Sequence, residues 1–453
     1  MPNAKTTQSF APAFQFGAPN QSVSLAKNTV TIKIDGNIYT GNGEVRLDLL
    51  PRAGIHIYAE FQEIPPPVAA AIANFQKEIT SFTFGAKKVS GFSLGAGGDM
   101  TRQTMTLNWR PKSEPLIGIG DDSVSMHWLV FHLFNFKDIF GIRCTREQSD
   151  PSGQDIQHVA LEADNWKVEL RSLVETPDHF KKLKAEGGYG LTHIGCLKKH
   201  DESSFTGKEA EKALHALRSF FSFAKGMWCE PICAVGFDDS STHIWESWSS
   251  PREPWYSPIM SWFDPYHCEQ LTGLFPGFMK RWEDEDWREA LDEVIYWYLN
   301  ANYSPRGIDA GIILTQAAIE RLSYEYTVID RRLIEAKGFT DLRASDKFRL
   351  LFSSLDIPID ISTNVPEMGT LAKKFNWLDA PHAMTEVRNS LVHPEHKRRG
   401  QFGSVLFETW NLGLWYLELA LLRICGYFGT YSNRLVLKCV GRVEDVPWMK
   451  SIK

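Results

Sequence analysis

Hydrophobic and polar positions follow two different patterns along the chain, and the pattern changes near residue 204. From about residue 20 to residue 200, short apolar runs alternate with polar positions and are separated by Gly, Pro, Asp and Ser. This alternation is typical of β-strands joined by turns. In NTVTIKIDG, for example, Val30, Ile32 and Ile34 alternate with polar residues and lead into Asp-Gly, which is a hairpin signal. The first half therefore predicts a β-rich domain that is sandwich-like or strongly curved.

After residue 204 the apolar residues follow helical spacing. Thr206 and Glu209 have the spacing of a capping box, apolar residues then recur every three or four positions, and Gly226 is placed to end the helix. The segment 227–263 is rich in Trp and Pro. We expect it to form a short hairpin or an extended cover rather than a free linker, because Trp side chains favour burial.

From residue 264 onward the pattern predicts helices in series with short connections, as in an antiparallel bundle. Asp264 before Pro265 is a helix-start signal, and Ser345 and Asp379 are predicted N-caps. The tail NRLVLKCVGRVEDVPW is predicted to be a closing strand. The predicted helical segments are DPYHCEQLTGLFPGFMKRW, EDWREALDEVIYWYLNAN, RGIDAGIILTQAAIERLSYEYTVID, SDKFRLLFSSL, NVPEMGTLAKKF, DAPHAMTEVRNSLVH and GSVLFETWNLGLWYLELALLRICGYFGTY.

These patterns predict an α+β protein, in which a β-rich, sandwich-like N-terminal domain is followed by an all-α helical bundle. The expected organisation is a flexible N-terminus at 1–20, a β-rich accessory or sensor domain at 21–203, a helix and Trp/Pro-rich connector at 204–263, a helical domain at 264–435, and a C-terminal strand and tail at 436–453.

Composition narrows the class of protein. The hydrophobic content of 43% is enough for packed cores, and the net charge of −6 means that any site for nucleic acid must be a local basic patch. Seven cysteines, an odd number, and an N-terminus without an apolar leader segment predict free thiols in the cytoplasm. VLFETWNLGLWYLELALLRICGYFG carries Glu408, Glu418 and Arg423, so we predict a buried helix rather than a membrane span.

Two further motifs point away from cofactors. CEPIC, Cys229 to Cys233, has one residue too many for the usual zinc spacing and no second Cys pair nearby. GFSLGAGGDM has glycines after a predicted strand but lacks the Lys-Ser/Thr of a phosphate-binding loop. We therefore expect no metal and no cofactor.

The most unusual stretch is EVRNSLVHPEHKRRG, where polar residues gather at the end of a predicted helix. Arg388 and Asn389 lie off the apolar face of that helix. On a continuous helix, at about 100° per residue, Arg388 and His393 would lie about 140° apart. Pro394 pushes the preceding residue out of the α region. His393 is therefore predicted to leave the helix and turn back toward Arg388.

An Arg and a His at this spacing are weak evidence alone, because a chain of this length contains such a match about once by chance. The simpler interpretation is a solvated helix end, with His393 favourable to the helix dipole and Arg388 paired with Glu386. A run of basic or titratable residues follows, which is either a solvated loop or a contact for an RNA backbone. That run is His396, Lys397, Arg398 and Arg399.

With Asn389 after the arginine, TEVRNSLVHPE resembles the signature of the HEPN family (higher eukaryotes and prokaryotes nucleotide-binding), which are all-helical domains. The order of the surrounding segments QAAIERLSYEY, KFRLLFSSLDIP and WYLELALLRICGYFGTYSNR is similar to that of large, ApeA-like HEPN proteins of bacterial anti-phage and abortive-infection systems. The resemblance covers about residues 265–435. The β-rich half matches no family in this way.

The resemblance implies a metal-independent endoribonuclease that acts through the ribose 2′-OH and leaves a 2′,3′-cyclic phosphate. It would make His393 the general acid/base, Arg388 the phosphate stabiliser and Asn389 an orienting group. It also implies a homodimer with a composite site, an RNA substrate, a phage-derived trigger or regulatory partner, and a role as a cytoplasmic defence toxin. Glu320 either buttresses the motif helix by pairing with an arginine or belongs to an ordinary helix surface. The alternative function is a HEPN protein that binds nucleotide or RNA, or mediates dimerisation, without cutting.

Overall fold

Two antiparallel β-sheets and a set of helices form three layers. The computed structural model describes residues 10–34, 37–65, 67, 82–99, 104–139, 145–147, 156–255, 259–303, 307–393, 401–437 and 439–452. Strands dominate the first half of the described chain and helices the second. The predicted α+β fold, with a β-rich N-terminal part and a helical C-terminal part, is confirmed.

The first layer is a seven-stranded sheet in the order β5-β4-β1-β2-β3-β7-β6. Its first two strands are antiparallel, and Ile34 lies opposite Asn37, so the two strands form a hairpin; the Asp-Gly pair itself lies outside the described residues. The predicted hairpin is thus confirmed. The strands are β1 (Val23–Ile34), β2 (Asn37–Asp48), β3 (Gly54–Phe61), β4 (Phe82–Phe84), β5 (Lys87–Val89), β6 (Gly91–Asp99) and β7 (Thr104–Pro111).

The second layer is an eight-stranded sheet in the order β11-β12-β13-β14-β10-β16-β17-β8. Its strands are β8 (Leu116–Ile119), β10 (Trp128–Phe134), β11 (Thr145–Glu147), β12 (Ile156–Glu162), β13 (Trp166–Ser172), β14 (Leu191–Lys199), β16 (Pro231–Phe237) and β17 (His243–Trp248). A separate two-stranded ribbon pairs β9 (Ser125–Met126) with β15 (Phe205–Thr206).

The segment 227–263 was predicted to form either a short hairpin or an extended cover, and it contains a hairpin. Strand β16 pairs with β17 and also with β10 in the middle of the second sheet. The β-rich part therefore extends past the predicted boundary at residue 203. The position of this boundary depends on strand pairing between distant parts of the chain, which local sequence patterns do not reveal.

The second sheet is buried on both faces, as the alternation along β10 shows. Leu129, Phe131 and Leu133 belong to the core shared with the helices, whereas Val130 and Phe134 belong to the core shared with the first sheet. Because successive side chains of a strand point to opposite faces, β10 joins both cores. The two sheets thus form the sandwich, and the helices cover its second sheet.

The helices follow the predicted segments closely. They are α1 (Thr176–Glu186), α2 (Gly207–Lys225), α3 (Glu269–Glu283), α4 (Glu285–Asn302), α5 (Ile308–Tyr324), α6 (Ala336–Asp341), α7 (Ala344–Ser354), α8 (Pro366–Phe375), α9 (Ala380–Val392) and α10 (Leu406–Ile424). A π-helix (Glu325–Asp330) continues α5, and 3₁₀ turns lie at Gly403–Val405 and Pro447–Ile452. Helices α1 and α6 were not predicted, because such short segments show little helical periodicity.

The predicted ends of α2 are confirmed by its hydrogen bonds. The Thr206 hydroxyl accepts the N–H of Glu209, while the Glu209 carboxylate accepts the N–H of Thr206, which completes the capping box. Gly226 follows the helix in the left-handed conformation, with φ 80°.

Two predicted helix starts are wrong, and the described part of the predicted C-terminal strand is short. Helix α3 begins at Glu269, because the Asp264 carboxylate instead accepts the N–H of Tyr266 and that of Gly441 and so holds a turn. Helix α7 begins at Ala344, one residue before the predicted Ser345 cap, and Arg343 is its N-cap residue. In the tail, the described strand pairing is limited to β18 (Thr430–Tyr431) with β19 (Glu444–Asp445).

Candidate functional site

The motif helix α9 is held at its N-terminus by a carboxylate with two functions. Asp379 caps the helix by accepting the N–H of His382 at 2.9 Å, as predicted. The same carboxylate receives two hydrogen bonds from Arg349 of α7, at 2.6 and 3.1 Å. This hydrogen bonding to Asp379 is the main reason why the pKa of Arg349 is raised. A bidentate pair of this kind fixes direction as well as distance, so α7 sets the orientation of α9.

The middle of α9 is anchored from the opposite side by α5. The predicted apolar face is confirmed, since Ala383 and Val387 are fully buried and Leu391 packs against the same core. The buried Gln316 side chain donates to the Met384 carbonyl at 2.7 Å. Neither Gln316 nor Arg349 was identified from the sequence. The sequence did contain a signal for Gln316, because this polar residue lies among the apolar positions of a predicted helix.

Replacing Gln316 with Leu should lower the free energy of unfolding by about 1 kcal/mol, because a buried carbonyl loses a donor. Urea denaturation of the full chain measures this loss. Ala317→Ser is a matched control, since Ala317 is exposed on the same helix and the change should stay within about 0.5 kcal/mol. Equal stabilities for the two variants would show that the Gln316 bond does not support α9.

The motif residues lie on the last turn of α9 and directly after it. Arg388 donates through Nη1 to the Asn389 side-chain oxygen at 3.3 Å, and both residues are half-buried. His393 is exposed, and its backbone is extended, with φ −103° and ψ 103°. The predicted departure of His393 from the helical path is thus confirmed.

His393 was also predicted to turn back toward Arg388, and the hydrogen bonds give no support for this. Among the described side chains, no hydrogen bond joins the two residues. The His393 N–H donates to the Asn389 carbonyl at 3.0 Å, which keeps the histidine beside the last turn. Pro394 and the predicted RNA-contacting residues His396, Lys397, Arg398 and Arg399 lie outside the described residues.

Glu320 lies apart from the motif. Its carboxylate accepts a hydrogen bond from Lys347 of α7 at 2.6 Å, so among the described residues its partner is a lysine and not the arginine of the first alternative. It also borders an acidic groove with Asp286, Glu289 and Glu325 that none of the three motif residues lines. Two of these carboxylates are paired with cations, Glu320 with Lys347 and Glu325 with Arg321. Glu320 therefore connects α5 to α7 and acts on α9 only through them.

Three general features bear on the chemistry. In the described ranges, no group of three or more His, Cys, Asp and Glu side chains is arranged to hold a metal ion. Cys229 and Cys233 of the CEPIC segment are buried, and burial raises the pKa of each thiol to about 12. Across the described helices, none has the length and apolar character required to span a membrane.

The geometry defines a helical domain with a polar cluster at the exposed end of one rigidly held helix. Residues 121–257 of the chain match a family model described as the YopA central domain, and residues 284–445 match one described as the YopA C-terminal domain. The chain is also 26% identical over 443 residues to the SPbeta prophage-derived uncharacterized protein YopA of Bacillus subtilis (strain 168), a match that covers 95% of each chain.

No solved structure matches the chain. The matched family models do not carry a HEPN description. The HEPN resemblance therefore stays a prediction based on the motif and the order of the helices.

Proposed function

We propose that this protein is a metal-independent endoribonuclease of the HEPN type. The observation that carries the proposal is the arrangement at the end of α9, where Arg388 is hydrogen-bonded to Asn389 and the exposed His393 follows one turn later. A guanidinium can hold a phosphate, and an exposed imidazole can exchange a proton with a ribose hydroxyl at neutral pH.

The arrangement supports a division of roles. Arg388 would stabilise charge on the scissile phosphate, and Asn389 would orient the guanidinium that it already contacts. His393 would take the proton of the 2′-OH or give one to the leaving 5′-oxygen. Attack by the 2′-oxygen on phosphorus breaks the bond to the 5′-oxygen and leaves a 2′,3′-cyclic phosphate.

One chain supplies one motif, so the proposal includes a homodimer in which two motifs form a composite site. The rigid placement of α9 by Asp379 and Gln316 suits such a site, because catalytic groups act best when their supports are fixed. The YopA relative is named as prophage-derived. A prophage protein that destroys RNA would protect its host against a competing phage, which supports the proposed role as an anti-phage toxin of the cytoplasm with a phage-derived trigger.

The test is cleavage of a defined RNA by the purified full-length chain with EDTA present. We expect fragments that end in a 2′,3′-cyclic phosphate, identified by mass spectrometry. His393→Ala and Arg388→Ala should each lower the cleavage rate by at least about 100-fold, the usual loss when a general acid/base or a charge-stabilising group is removed.

Matched controls separate catalysis from folding. Lys373→Ala and His200→Ala remove an exposed cation and an exposed histidine away from the motif, and both should cleave as the wild type does. Thermal unfolding of the His393 variant should be unchanged, because the side chain is exposed. RNA binding without cleavage by the wild type, with or without phage-infected extract, would contradict the proposal and favour the non-catalytic binding alternative.

A further inference from the structure

A cleft of about 1020 Å³ lies where the first sheet meets helix α2 and the start of β16. Its position is far along the chain from the motif of α9, and its lining belongs entirely to the described residues. The volume is that of a small-molecule site. The proposed nuclease activity makes no use of this cleft.

Cationic side chains converge on the cleft, although the whole chain carries a net charge of −6. Among the described residues, neither Arg52 nor Arg110 forms an ion pair. The cationic residues that line it are Arg52, Arg110, Lys112, Arg218 and Arg252. Such a concentration of positive charge on an acidic protein attracts an anion.

The carboxylates in the same lining are largely occupied or shielded. Glu114 accepts the N–H groups of Ile55 and Ser250, at 3.0 and 2.8 Å, and so serves the backbone. Glu230 pairs with Arg252 at 2.6 Å. Burial raises the pKa of Glu211 and of Glu230, and the paired Arg252 opposes this rise at Glu230. Against the four carboxylates of the lining, which are Glu114, Glu211, Glu230 and Glu253, the five cationic side chains leave a small positive balance.

Apolar side chains form one part of the cleft, and in another part a tryptophan ring lies next to two of the arginines. Phe92 and Leu94 of β6 line the cleft and remain 36% and 44% exposed. On the other side, the Trp228 ring lies 5.8 Å from the Arg218 guanidinium and 4.4 Å from that of Arg252. The ring therefore attracts both guanidinium groups through a cation–π interaction and helps to hold them at the cleft.

We propose that this cleft binds a nucleotide with at least two phosphate charges, such as a nucleoside diphosphate. The guanidinium groups would hold the phosphates, with Arg110 on one wall and Arg218 and Arg252 on the other. Phe92 and Leu94 would cover a face of the base. A longer RNA strand fits less well, because it needs a continuous basic groove, and Glu211 and Glu253 interrupt the positive lining.

Arg218 also connects the cleft to the helical half of the protein. Its guanidinium donates to Asp292 of α4 at 3.2 Å, and His215 contacts the same carboxylate at 3.1 Å. A phosphate bound by Arg218 would compete with Asp292 for the guanidinium. Binding of a ligand in the cleft would therefore weaken the contact between Arg218 and Asp292 of the helical bundle.

The experiment is isothermal titration calorimetry of the full chain with ADP, GDP, UDP and CDP. At least one of them should bind more tightly than about 1 mM, and more tightly than its own nucleoside or inorganic pyrophosphate does. Arg110→Gln and Arg52→Gln should each weaken that binding by about tenfold, because each removes a charge-assisted hydrogen bond. Phe92→Ser should weaken the nucleotide but leave pyrophosphate binding unchanged.

The matched control is Lys181→Gln, since Lys181 is 79% exposed on α1 and does not line the cleft. It should bind as the wild type does. Absence of binding by all four diphosphates, equal affinity in the arginine variants, or displacement of the nucleotide by a 12-nucleotide RNA that binds more tightly would each overturn the proposal. None of these measurements depends on RNA cleavage, so the proposed nuclease activity can fail independently.

Discussion

Replacing Arg434 with Met should lower the free energy of unfolding by about 3–5 kcal/mol, because it leaves a buried carboxylate without its cation. Arg434 and Glu418 are 1% and 0% exposed and are joined by hydrogen bonds of 2.5 and 3.0 Å. Urea denaturation at neutral pH measures the loss. An effect this large approaches half the stability of a typical domain.

The reason for the size of this effect is the number of groups that meet at the pair. The Arg434 guanidinium also donates to the Asn302 side chain and to the Met260 carbonyl, each at 3.2 Å. Tyr298 donates its hydroxyl to Glu418 at 2.6 Å. One ion pair therefore joins the segment after α10 to α10 itself, to α4 and to the end of the β-rich part.

Two further variants test this explanation. Arg423→Met breaks an ion pair with Asp356 at 2.9 Å, but both side chains are partly exposed, so the loss should be at most about 1 kcal/mol. The double variant Glu418→Leu with Arg434→Met should be more stable than Arg434→Met alone, because no unpaired charge stays buried. A double variant that is less stable than the single one would contradict this account.

Acid should destabilise the β-sandwich between about pH 6.5 and pH 4, because two histidines are buried in their neutral forms. Burial lowers the pKa of His132 to about 4 and that of His193 to about 3, from an ordinary value of 6.5. The unfolded chain therefore binds protons that the folded chain does not. Stability from this source is fully present above pH 6.5 and is lost as the pH falls.

The structure explains why His132 stays neutral. Its Nδ1 lies 3.2 and 3.1 Å from the carbonyls of Ile232 and Cys233, and its Nε2 accepts the N–H of Ala13 at 3.1 Å. That last bond requires an unprotonated nitrogen. Each pH unit between the folded and unfolded pKa values corresponds to about 1.4 kcal/mol, so His132 contributes about 3 kcal/mol of pH-dependent stability.

Unfolding free energies between pH 7 and pH 4.5 measure the effect. His132→Gln should be less stable than the wild type at pH 7 but should lose less stability on acidification. His200→Gln is the matched control, because His200 is exposed and its removal should leave the pH dependence unchanged. If His132→Gln and the wild type lost stability equally, the buried histidine would not be the source.

Several features of this protein followed from local sequence alone. The hairpin of β1 and β2, the capping box of α2 and the Asp379 cap of α9 each depend on residues within four positions of one another. The apolar face of α9 and the departure of His393 from the helix are equally local. Short-range rules suffice where the interacting groups are neighbours in the chain.

The less successful predictions depended on contacts between distant residues. Asp264 reads locally as a helix start, yet its carboxylate binds the N–H of Gly441, far along the chain. For Glu320 two alternatives stood open, an arginine partner or an ordinary helix surface, and its described partner is Lys347. In each case the side chain had more than one chemically acceptable partner, and only packing selected one.

By itself, the sequence determined the α+β composition, the order of the helices and the position of Arg388, Asn389 and His393 at a helix end. The tertiary structure decided that β16 and β17 complete the second sheet, that Gln316 and Arg349 orient the motif helix, and that arginines from the first sheet and from helix α2 line one cleft. The physical reason is that periodicity and capping act over one or two turns, whereas pairing, burial and charge convergence act between residues that only folding brings together.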